Sequence, residues 1–265
     1  MYLLPNSLVD FSKSILYSLG FSSNFYFHYS GQLYGAESGL LKPFLHTWSL
    51  SVEEQYYILF PIVILISFKY FKKNLFYILI FLFVISLAFA DWSSSNYPLL
   101  NFYSLHSRVW ELSAGSILAY QEITLGHRSK NKTFNLVLPS VGIILILYSI
   151  LFFNDEMFHP SLYSIIPIIG VCLIIWFSSE NEIITKILSS KLFVGIGLIS
   201  YSLYLWHYPI FAFARITDYT QQNAFVKNLL LGVVILILSI ASYYLIERPF
   251  RNKKNNFKIL LSIII

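Results

Sequence analysis

Long apolar runs separated by short polar connections make up the chain. The runs at 51–68, 75–90, 103–120, 134–153, 161–177, 192–213 and 224–246 approach the roughly 20 helical residues that a hydrocarbon core of about 30 Å requires. The pattern predicts an all-α, polytopic transmembrane helix bundle of about seven spans. The first two runs are short and draw on their polar flanks to complete a crossing. The stretch 7–27 is amphipathic and holds Asp10, Lys13 and Gly20, so it reads as an interfacial helix. The expected organisation is an external interfacial segment over 1–50, a transmembrane bundle over 51–250 and a basic cytoplasmic tail over 251–265. In that tail FKILLSIII opens a further helix without completing it.

Composition narrows the class further. Of 265 residues 57% are hydrophobic and only 12% charged, against about 25% charged in soluble domains. So little polar surface excludes a disordered chain, a collagen, a nucleic-acid module and an ordinary soluble enzyme. The net charge of +5 does not mark a nucleic-acid partner, because most Lys and Arg residues cluster in the loops at 69–73, 128–132, 186–191 and 248–258. Such clusters mark cytoplasmic loops. The N-terminal segment and the loops at 91–102, 154–160 and 216–223 then face outward. The N-terminus lacks the basic region and cleavage site of a signal peptide. Cys172, the single cysteine, sits within IIPIIGVCLIIWF and reads as a small hydrophobe.

Ionisable side chains at membrane depth cost several kcal/mol unless paired or wetted, so the informative positions are the polar exceptions. The stretch FLHTWSLSVEEQYY gathers His46, Trp48, Ser49, Glu53 and Glu54 at the mouth of the first span. A helix from about Thr47 places Ser49 and Glu53 four apart on one face. An interfacial belt accounts for Trp48, Tyr56 and Tyr57, but not for two carboxylates leading into an apolar span. In YSLHSRVWELSAG, Arg108 and Glu111 stand three apart and can pair. Ser113, Gly115 and Ser116 would let another helix approach closely. In GIGLISYSLYLWHYP, Tyr204 and His207 precede Pro209, where the helix is expected to kink or end; the tyrosines fit a belt, and His207 is evenly open between belt and site. In IERPFR, Glu247 pairs with Arg248 or a basic loop, or marks a helix stop. His127 and His159 lie in loops without an assigned role. No HExxH, CxxC, Ca-loop, Walker or GxGxxG spacing occurs, so no metal is expected.

These four stretches, in this order, resemble the acyltransferase-three family of bacterial inner-membrane proteins, which O-acylate cell-envelope glycans. LHTWSLSVEEQYY is the most specific; RVWELSAG, ISYSLYLWHYPI and IERPFR follow at about the family spacing, and SNFYF fits as a lead-in. The resemblance implies transfer of an acyl group, usually acetyl, from cytoplasmic acetyl-CoA to a sugar hydroxyl, with O-antigen lipopolysaccharide a representative acceptor. It implies membrane lipid and a lipid-linked or surface glycan as partners, and no nucleic acid. On it, His46 is base or orienting group with Glu53 as partner. Ser49 completes the catalytic set and Trp48 helps position the sugar. Arg108 anchors donor or acceptor, with Glu54, Glu111, Tyr204 and His207 as further binding residues. Family members ordinarily begin with helices carrying an Arg or Lys followed about ten residues later by a His, then a glycine-rich helix and a basic loop. None is seen here, so the expectation is an N-terminally truncated member, or one completed by a second chain. Two other readings compete: an inactive fragment or structural membrane remnant, and a carrier or channel with a polar outer vestibule.

Overall fold

A computed structural model of the chain describes residues 5–32, 38–71, 74–154, 157–179, 182–217 and 224–251. Among them the chain is all-helical, with no strand. The helices are α1 (Pro5–Leu19), α2 (Ser23–Gly31), α3 (Thr47–Tyr70), α4 (Leu75–Asn96), α5 (Pro98–Tyr103), α6 (Val109–Leu125), α7 (Lys132–Phe152), α8 (Ile165–Phe177), α9 (Ile183–Leu188), α10 (Lys191–Ile216), α11 (Ala224–Ser242) and α12 (Arg248–Arg251). The interfacial stretch is two helices rather than one, broken where Phe21 takes a φ of 51° after Gly20. Helix starts follow local chemistry. Asn131 caps α7 by accepting from the backbone N–H groups of Thr133 and Phe134, and buried Glu182 caps α9 at Ile184 and Thr185, satisfying donors that have no partner in the first turn. Gly126, at a φ of 71°, ends α6 in the left-handed region that glycine adopts without strain.

Among the described residues four helices are long and apolar enough to cross a membrane: Thr47–Tyr70, Leu75–Asn96, Lys132–Phe152 and Phe225–Arg251. Leu162–Phe177 is a shorter apolar helix. Leu65, Phe68, Ile150, Leu151 and Ile237 on the long helices are exposed, a surface that water does not tolerate and lipid does. The remaining predicted spans fall short for identifiable reasons. The run at 103–120 opens with turns through Arg108, so that α6 has 17 residues and carries Glu111 and Glu122. Helix α10 has 26 residues, but Ser, Tyr, Trp and His dilute its apolar character. The basic tail from 252 onward, with its incipient helix, lies outside the described residues.

The chain divides into two compact units, one formed by the described residues within 1–16, 33–47 and 190–265, the other by 17–32 and 48–189. In the second, α7 packs on α8 and α4 on α6. The α7 and α8 backbones approach closely at Gly142 and Gly170, where a Cβ built on Gly142 would lie 2.5 Å from the Gly170 carbonyl oxygen. At Gly115, where the sequence suggested close approach, an added Cβ meets nothing within 4 Å among the described residues. Gly142→Ala should therefore force the two backbones apart and cost roughly 1–3 kcal/mol, seen as an earlier melting transition in detergent. Gly115→Ala should leave that transition in place; equal melting of the two variants would refute this packing.

In the same unit the SNFYF segment anchors the head of α3. Ser23 and Asn24 are fully buried. The Ser23 and Ser51 hydroxyls lie 2.8 Å apart. Gln55 donates to Asn24 Oδ1 at 2.9 Å and to the Phe21 carbonyl at 2.7 Å. Asn24 donates onward to the Tyr103 carbonyl at 3.1 Å. A backbone N–H near the start of α6, that of Trp110, donates to Ser86 of α4 at 3.1 Å. Polar groups of this kind, satisfied inside the protein, set the register of helices whose apolar faces are interchangeable.

Candidate active site

In the first unit, a turn over 43–46 leads into α3 and ends on His46, which is only 7% exposed. On α10, Tyr204, His207 and Tyr208 share one face because residues three and four apart coincide there. Their rings surround His46: Tyr204 edge-on at 5.1 Å, His207 edge-on at 5.5 Å and Tyr208 stacked at 5.4 Å. The Tyr204 hydroxyl donates to the His46 carbonyl oxygen, and the Tyr208 hydroxyl to that of Gly39 at 2.9 Å. Two tyrosines thus bind the segment 39–46 to the helix. His207 Nδ1 lies 2.7 Å from the Tyr204 carbonyl oxygen. A carbonyl only accepts, so Nδ1 carries the proton and Nε2 holds the lone pair of the neutral ring. His46 has its pKa lowered to about 4, first by burial and then by the charge that His207 would bear. It is neutral at ordinary pH. Pro209 does not end the helix, which runs on to Ile216. Membrane-type helices accommodate proline by satisfying the freed carbonyl elsewhere.

In the second unit, Trp48, Ser49, Glu53 and Glu54 occupy the first two turns of α3, which starts at Thr47 as the sequence suggests. Arg108 precedes α6, and its guanidinium lies over the ring of Trp48 at 4.8 Å and that of Phe102 at 5.7 Å. It pairs with Glu111 at 3.2 Å, both side chains being 21% exposed. Trp48 also meets Phe102 at 4.6 Å and Tyr103 at 5.4 Å. The result is a cation held on an aromatic shelf with one carboxylate attached, a geometry worth about 2 kcal/mol when desolvated. The Arg108 charge also acts on Glu53 and on His159, whose proton affinity is lowered first by burial and then by Arg108. Glu53 is exposed and Glu54 half-buried, and the ion pairs among the described residues include neither.

The structure thus brings His46, Tyr204 and His207 together in one unit, and Trp48, Arg108 and Glu111 in the other. Ser49 is half-buried on α3. Sequence reasoning missed Tyr208, although its four-residue spacing from Tyr204 was a usable signal. It also missed Phe102, which no spacing marks. Glu247 pairs with Arg251 at 3.1 Å rather than with Arg248, and accepts from Ser202 at 3.1 Å. Four residues along a helix share a face, whereas adjacent ones diverge.

Membrane-length helices with polar and aromatic clusters of this kind define an all-α membrane protein. A family model described as an acyltransferase domain matches residues 14–248, and the chain belongs to that acyltransferase-three family. The peptidoglycan O-acetyltransferase OatA of Listeria monocytogenes is 32% identical over 271 residues, covering 96% of this chain and 42% of that protein. An O-acetyltransferase OatA of Staphylococcus aureus is 27% identical over 263 residues, covering 94% and 43%. An uncharacterized protein of Haemophilus influenzae is 36% identical over 187 residues, covering 67% and 76%. The chain therefore spans about two fifths of the length of the two O-acetyltransferases. No solved structure matches it at a significant level.

Proposed function

We propose that the chain acts as a multi-pass O-acetyltransferase of the bacterial inner membrane, moving acetyl from acetyl-CoA to a hydroxyl of a cell-envelope glycan. The observation that carries this reading is the knot of half-buried Tyr204, His207 and Tyr208 around buried His46 in a chain of an acyltransferase family. Seven crossings, with α6, α8 and α10 joining the four membrane-length apolar helices, would put the clustered basic loops in the cytoplasm. In the net reaction the sugar oxygen forms a bond to the acetyl carbonyl carbon, the carbon–sulfur bond breaks, and the hydroxyl proton ends on the departing thiolate. His207 is the proton acceptor through Nε2. His46, which resists protonation, orients the hydroxyl as a neutral imidazole. On α3, Ser49 and Glu53 supply a hydroxyl and a carboxylate to the acceptor, with Glu54 beside them. Arg108, kept on Trp48 by Glu111, binds an anionic group of donor or acceptor. Similarity to the Listeria peptidoglycan O-acetyltransferase favours peptidoglycan over O-antigen as the acceptor.

The test is expression in a bacterium devoid of glycan O-acetylation, followed by release of ester-linked acetate with mild base. Acetate recovered from purified peptidoglycan is expected. Acetate only in lipopolysaccharide would move the acceptor, and none in any envelope glycan would leave the structural-remnant or carrier reading in its place.

A further inference from the structure

A cavity of about 720 Å³ in the unit formed by 17–32 and 48–189 adjoins the shelf under Arg108 through Phe102, and the reaction above gives it no role. Its walls include Leu99 and Phe102 of α5, and Phe153, Asn154, Phe158 and His159 from the connection after α7. The two walls are fastened together by polar groups, most of them buried. Asn101, fully buried on α5, donates to the Pro160 carbonyl at 2.7 Å and accepts from Ser93 at 2.7 Å. The Ser107 hydroxyl donates to the Asn101 carbonyl, and the Leu162 N–H donates to Asp91 Oδ1 at 3.3 Å. The cavity is therefore framed in advance, as small-molecule sites usually are, and its size is within their range of about 300–1,000 Å³.

The lining chemistry is selective. Three phenylalanine rings supply flat apolar faces, and the His159 ring lies nearly parallel to Phe153 at 5.5 Å and 26°. Asn154 adds an amide and His159 an imidazole, each able to donate and accept. Among the described residues no cationic side chain lines the cavity, which disfavours an anion, and an acyl chain would have no use for the amide and imidazole. Flat rings with a few two-way hydrogen-bonding groups match a pyranose, which has apolar C–H faces and a rim of hydroxyls. Phe102 belongs both to this cavity and to the shelf under Arg108, so the cavity is continuous with the proposed acceptor-binding residues. Both walls come from loops that the charge pattern places outside, where an envelope glycan is presented. From the Phe102, Phe153, Phe158 and His159 walls we infer that this cavity is a subsite for a neutral pyranose ring of the acceptor glycan, one that sets the register of the chain being acetylated. The inference rests on the O-acetyl transfer reading for the identity of the glycan.

The test uses the full chain in lipid nanodiscs and chitotetraose, a β-1,4-linked N-acetylglucosamine tetramer, as probe. Saturation-transfer NMR should detect binding, and Phe158→Ala should weaken it about tenfold. Phe158 is 49% exposed, so its truncation leaves no buried hole, and His159→Gln is a second, milder variant expected to weaken binding severalfold. A photoreactive phospholipid serves as the competing occupant in the wild-type chain. Its labelling of 98–102 and 153–159 should be weak and suppressed by chitotetraose. Binding unchanged in both variants, or strong lipid labelling that chitotetraose does not displace, would overturn the subsite. Variant-sensitive binding in a chain that transfers no acetyl would remove the transfer reading and keep the subsite. Transfer with variant-insensitive binding would do the reverse.

Discussion

His207→Asn is expected to cut acetyl transfer by about 10²–10⁴-fold, the usual contribution of a positioned proton acceptor. Asparagine places an N–H donor where Nδ1 stood, so the bond to the Tyr204 carbonyl at 2.7 Å has a replacement and the helix face is kept. What disappears is Nε2. His46→Gln should cost much less, about tenfold, because an orienting hydrogen bond survives in the amide, whereas His46→Ala should lose about a hundredfold. The pH profile separates the two imidazoles. Burial, with repulsion from His207, holds the His46 pKa at about 4, below its ordinary 6.5. Its neutral form is therefore lost only as pH falls through about 4, and any acid limb of kcat/KM at higher pH belongs to another group. Removing the His207 charge takes away one of the two effects that depress His46, so in His207→Asn the His46 titration, followed by NMR of labelled imidazole, should move upward. A variant with near wild-type kcat/KM, or an unmoved His46 titration, would break the pairing of these rings.

The helices were legible in the sequence because lipid imposes length and apolarity on each segment separately, and neither needs knowledge of a partner. The start of α3 at Thr47 and the Arg108–Glu111 pair were legible for the same reason: both are set within one helix turn. The number of crossings was less so. Apolar runs such as 103–120 ignore the turns that consume their first residues, and a helix such as α10 dilutes its hydropathy with the very side chains that form the site. The long-range bonds were not legible at all. Asn101 reaches Pro160, and Asn24 reaches Tyr103, across separations that no periodicity encodes. An asparagine in a connecting segment carries the same local signal whether it is buried or wet. Gly142 and Gly170 were passed over because each is a lone glycine in its run, and only the meeting of the two gives either a role.

Arg108→Lys is expected to abolish most acetyl transfer, by about a hundredfold, while leaving the fold nearly intact. Lysine keeps the charge but offers no planar fork, and so loses both the guanidinium contact over the Trp48 ring at 4.8 Å and the two-pronged recognition of an anionic group. Arg108→Ala should do more damage of a different kind. Glu111 would remain mostly buried, with its oxygen 3.2 Å from nothing that replaces the guanidinium, and leaving such a charge without its partner costs about 3 kcal/mol or more. The double change Arg108→Ala with Glu111→Gln removes both charges together and should recover most of the lost melting temperature. It should not recover activity, because a structural ion pair and a substrate anchor differ in this respect. The first is dispensable once both partners are gone; the second is needed by a molecule that is still to be bound. Recovery of acetyl transfer in the double variant would reduce Arg108 to a structural residue and leave the aromatic shelf of Trp48 and Phe102 as a packing feature of the helix ends.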